Sequence, residues 1–224
     1  MSEDDVAAIV SEWTAGNADR IREDPDSWVR RIFAAVTSSD DPALVETLAY
    51  PLKALFEECG ESWLAPTVDR SRVDRRSIAV AADSVYAYLN YNTDEAKPGH
   101  RMCELFGRDL VIDTWIRHNG EDSAWDFWPF EVFSDMETEA VMGAWALLIE
   151  MIDRAPPDQA SLLGAGFLED VIAEIPIEVV EDQAGRSEKF RLALRNVWID
   201  GEVPREFFER VERAAGAPLK RQRW

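Results

Sequence analysis

Histidine and cysteine are nearly missing from this chain of 224 residues, which has only two of each. Cys59 and Cys103 are too few and too separated to form a disulfide framework. A zinc site asks for three or four ligands at recognisable spacings, and His100-x-x-Cys103, with Cys59 or His118 as outlying candidates, does not supply them. No metal and no other cofactor is expected. Long apolar runs are lacking as well, since no stretch reaches the about 18 apolar residues that would span a membrane. The opening MSEDDVAAIV is acidic where a secretion signal is cationic and apolar, so the cytoplasm is the expected location. The chain has no phosphate loop, no G-x-G-x-x-G, no G-x-S-x-G elbow and no H-E-x-x-H. Positive charge is scarce: 24 Lys and Arg stand against 44 Asp and Glu, giving a net charge of -20 and an isoelectric point near 4.4. A phosphate backbone selects proteins that bring cations to it, so neither nucleic acid nor an anionic membrane is an expected partner.

What the chain does have is core material. Hydrophobic residues make up 46% of it and nine are Trp, enough to fill one large domain or two small ones. The apolar positions recur at helical spacing, and two stretches answer one another. WVRRIFAAVTSSDDPALVETLAYPLKALF, from Trp28, aligns with WALLIEMIDRAPPDQASLLGAGFLEDVI, from Trp145, pairing Trp28 with Trp145 and Ile32 with Ile149. The correspondence runs on to Tyr86 in the first stretch and Trp198 in the second. Internal self-similarity is the mark of stacked helical units, each too small to bury its apolar face alone. The expected fold is all-α: two degenerate copies of a three-helix unit in a HEAT-like or irregular α-α array. The expected divisions are an N-terminal unit over 1–95, a helix plus aromatic connector over 96–135, a C-terminal unit over 136–216 and a basic tail over 217–224.

Caps and breakers place the elements. Ser2 starts a short helix to Trp13, and Asp26 or Ser27 starts Trp28–Val36. Asp41, with Pro42 in the favoured first position, opens a helix to Cys59 that Gly60 ends and Pro51 kinks or breaks. Asn90–Gly99 reads as a linker, Gly107 as an interruption, and DLVIDTWI as helix or a short strand. Asp135 caps Met136–Arg154; Ser187 caps a helix to Ile199; Pro204 opens a last helix ended by Gly216, before a frayed tail.

The least regular segment is Asn119–Asp135, NGEDSAWDFWPFEVFSD, where rings and acids alternate around Pro129. It reads as an irregular connection plugging its aromatics into a groove between the copies. Any rings left in water, among Trp125, Phe127, Trp128 and Phe130, with Asp126 and Glu131 beside them, are the natural anchors for a partner. Glu169 and Asp170 are adjacent on a helix and do not share a face, so they make a poor acid/base pair; the expectation is that they cap or bind an Arg of the neighbouring helix, such as Arg191 or Arg195.

Ala155-Pro156-Pro157-Asp158, Gly166-Phe167-Leu168-Glu169-Asp170-Val171-Ile172 and the run from Arg191 to Val197-Trp198 together resemble a bacterial domain family of uncharacterised function. Its members carry an Ala-Pro-Asp turn, a Gly-Pro-Leu-Glu-Asp-Leu-Leu helix and an Arg-rich helix closing on Val-Trp. Phe167 departs from the family's Pro. The resemblance covers about 145–198 and implies a small all-α unit in which Trp145, Leu168, Glu169, Asp170 and Trp198 are structural, with no established activity.

These features favour a non-enzymatic protein whose acidic face binds a basic protein partner, as an inhibitor or immunity-type protein does, with charge steering the encounter. Two alternatives remain open: an enzyme whose carboxylates are gathered from separate helices, and a structural homodimer joined through the aromatic segment.

Overall fold

The computed structural model describes residues 3–14, 18–39, 41–92, 98–121, 124–139, 141–199 and 203–221. The fold is all-α. In chain order the helices are α1 (Glu3–Thr14), α2 (Ala18–Glu23), α3 (Pro25–Ser38), α4 (Pro42–Thr47), α5 (Ala49–Cys59), α6 (Leu64–Ser71), α7 (Arg75–Asn92) and α8 (Pro98–Phe106). They continue with α9 (Arg108–Glu121), α10 (Trp128–Glu139), α11 (Val141–Arg154), α12 (Pro157–Gly164), α13 (Phe167–Val171), α14 (Ile177–Arg186), α15 (Glu188–Leu194) and α16 (Arg205–Ala215). Two compact units result, one from Met1–Gly107 with Glu121–Val132, the other from Arg108–Gly120 with Phe133–Trp224. The division falls inside α10.

The first unit is built on α7. Alanine and serine on several sides of this helix (Ser77, Ala79, Ala81, Ala82, Ser84) let α3, α5, α6 and α8 approach it closely. Ser84 donates its hydroxyl to the Ala49 carbonyl of α5 at 3.1 Å. The core beside it holds Leu52, Leu55, Phe56, Leu64 and Val68, all fully buried.

Pro51 breaks its helix at Leu48, three residues upstream, because the proline has no N–H to donate to the Thr47 carbonyl. Asp41 caps α4 by accepting the Ala43 N–H at 3.0 Å, and Gly60 ends α5 in a left-handed conformation, φ 80°. Asp24 rather than Asp26 or Ser27 caps α3, accepting the Ser27 N–H at 3.0 Å, with Pro25 in the first position. Ser2 and residues 93–97 of the 90–99 linker lie outside the described residues, while Asn90–Asn92 belong to α7 and Pro98 and Gly99 open α8.

The second unit is built on α11, which buries Ala144, Trp145, Leu147, Leu148, Met151 and Ile152 against α12, α13 and α15. Trp145 meets Phe190 of α15 edge to face at 5.5 Å. The backbones of α12 and α15 touch at Gly164: a Cβ there would sit 2.1 Å from the Ala193 carbonyl oxygen. Arg210 of α16 ties α14 down by donating to Glu178 at 2.8 Å and Glu181 at 2.9 Å.

Several expectations are corrected. The aromatic connector is helical from Trp128 onward; Pro129 sits in the first turn, where a missing donor costs nothing. Asp135 therefore lies within α10, and the expected Met136–Arg154 helix is split between α10 and α11. DLVIDTWI is helical, inside α9. The Ser187 helix, capped as expected at the Phe190 N–H, stops at Leu194 instead of Ile199. Trp198–Ile199 instead pairs in parallel with Lys220–Arg221, so the start of the basic tail is held.

Candidate functional site

In the first unit, the aromatic segment faces two ways. Asp126 is turned inward, 1% exposed and ion-paired with Arg75 at the start of α7. Trp128 is also buried, tilted against Phe106 at 5.0 Å. Phe127 is 53% exposed and stacks on the half-buried Phe130 at 5.1 Å. Trp125 and Glu131 are half-buried. Six residues named from one stretch of sequence thus divide between anchoring and surface.

Asp83, which sequence reasoning passed over, projects from α7 toward the same charges. Its side chain is exposed to water, with neighbouring protein crowding part of the carboxyl. Partial desolvation by its neighbours, with the negative charges of Glu131 and Glu46, pushes its pKa up from 3.8 to about 7. No local motif signals such a group, because its neighbours come from α4 and α10.

The second unit gathers another carboxylate group, from α10, α13 and the turn after it. Burial raises the pKa of Glu137, and the charges of Asp170 and Glu174 add to the rise. Burial likewise raises Asp170. Glu169 is raised by burial too, although it accepts the Trp198 backbone N–H at 3.2 Å, which favours its ionised form. The indole of Trp198 is 42% exposed. No Lys or Arg whose side chain is described forms an ion pair with Glu137, Glu169, Asp170 or Glu174.

The expected arginine partners are directed elsewhere. Arg191 donates to the Ala184 carbonyl at 2.6 Å and Arg195 to the Ala215 carbonyl at 3.1 Å, satisfying acceptors near the C-terminal ends of α14 and α16. This leaves the Glu-Asp pair without the expected neutralisation.

Residues 116–218 match the family of unknown function DUF6869. The DUF6869 match covers less than half of the chain and contains the carboxylate group and Trp198. No curated protein and no solved structure matches the chain. Within the DUF6869 segment, Leu168 is fully buried and Trp145 nearly so. Phe167, the departure noted from the Gly-Pro-Leu-Glu-Asp pattern, stacks on Phe133 at 3.9 Å and lies 6.1 Å from the Trp115 ring. A proline could not fill that space.

Among the described residues no group of three or more His, Cys, Asp and Glu side chains is arranged to hold a metal ion. Cys59 and Cys103 are half-buried and not joined in a disulfide, and burial pushes the Cys59 thiol up, away from the reactive thiolate. No helix among the described residues is long and apolar enough to cross a membrane.

Proposed function

We propose that this chain is a non-enzymatic interaction protein that binds a basic protein partner, with Glu137, Glu169, Asp170 and Glu174, and Trp198, whose backbone N–H Glu169 accepts, as its contact face. The observation that carries the reading is the group of carboxylates, partly desolvated at Glu137, Glu169 and Asp170, that make no ion pair among the residues whose side chains are described. Burial raises the energy of the ionised forms of Glu137, Glu169 and Asp170, the charges of Asp170 and Glu174 add to it at Glu137, and an incoming Lys or Arg relieves both. The net charge of -20 steers such a partner from a distance. An inhibitor or immunity-type role suits this chemistry.

The test is capture of partners from native extract by the wild type, Asp170→Lys, Glu174→Lys and Trp198→Ala, at low and high salt. The expected partner is basic, is released by high salt and is lost from the charge-reversed variants. Equal capture by all four proteins, or an acidic partner, overturns the proposal.

Asp83 favours a second reading, an enzyme with carboxylates assembled from separate helices, because a carboxyl with a pKa of about 7 can exchange protons near neutrality. The third, a homodimer, draws on the exposed Phe127 but must bring together two chains of charge -20. Sedimentation at low and high salt tests it: a dimer that persists at low salt supports it.

A further inference from the structure

We draw no further inference here: the strongest candidate, the exposed carboxylate of Asp83 on α7 with Glu46 and Glu131 nearby, is a cluster of acids for which nothing among the described residues says what it would hold.

Discussion

Asp83 makes the first unit sensitive to pH. Its carboxyl takes up a proton more readily in the folded chain, at about 7, than in the unfolded one, near the ordinary 3.8. Between those values the folded state binds more protons, so this group's contribution to stability falls as pH rises through the window. Asp83→Asn should therefore raise stability at pH 8 by about 1 kcal/mol, the full shift being discounted for the water that reaches the side chain. At pH 4 the gain should nearly vanish, and urea denaturation at the two pH values measures the difference. Thr67 offers a case without charge: fully buried in α6, its hydroxyl has no hydrogen-bond partner. Thr67→Val keeps the shape and removes the orphan, and thermal melting should show a gain of about 1 kcal/mol. Asp126 is the converse, since Asp126→Ala leaves Arg75 without its buried counterion. A loss of about 2 kcal/mol is expected in denaturant titration, less than for a fully buried pair because Arg75 keeps access to water.

Helices are where capping chemistry was legible and backbone approach was not. Asp41-Pro42, Cys59-Gly60, Ser187 and Gly216 mark boundaries because each acts within one turn of the chain. Pro51 was read as a break, but the consequence falls at Leu48, where the missing donor is felt. Pro129 sits in the segment that reads as an irregular connection, yet in a first turn proline is well placed; telling the two cases apart requires knowing where the helix begins. Gly164 looked ordinary. It is required by the Ala193 carbonyl of another helix, and Gly164→Ala should cost about 3 kcal/mol, because backbone on both sides must move. A melting temperature unchanged by that substitution would contradict the contact between α12 and α15.

Across the whole molecule, the excess of acids sets the response to salt. Many Lys and Arg are engaged in pairs such as Arg154 with Asp109 and Asp113, so the surplus carboxylates repel one another. Raising salt from 10 to 300 mM, across about 30 to 5 Å of screening length, should increase the melting temperature, since screened repulsion outweighs surface pairs worth under about 1 kcal/mol each. The two sequence copies, Trp28–Tyr86 and Trp145–Trp198, fall in different compact units. The second unit also takes in Arg108–Gly120, including Trp115 beside Phe167, which the family match beginning at 116 omits. The fragment 116–224 should accordingly melt below 108–224.

Helical class, most caps and the shortage of cations were present in the order and kind of residues, because period, turn chemistry and net charge are local or additive quantities. The meeting of Glu137 with Asp170, the approach of charges from α4 and α10 to Asp83, and the turning of Arg191 and Arg195 toward helix-end carbonyls were settled by packing. Each depends on distances between segments far apart along the chain, and electrostatic energy follows distance in space rather than separation in sequence.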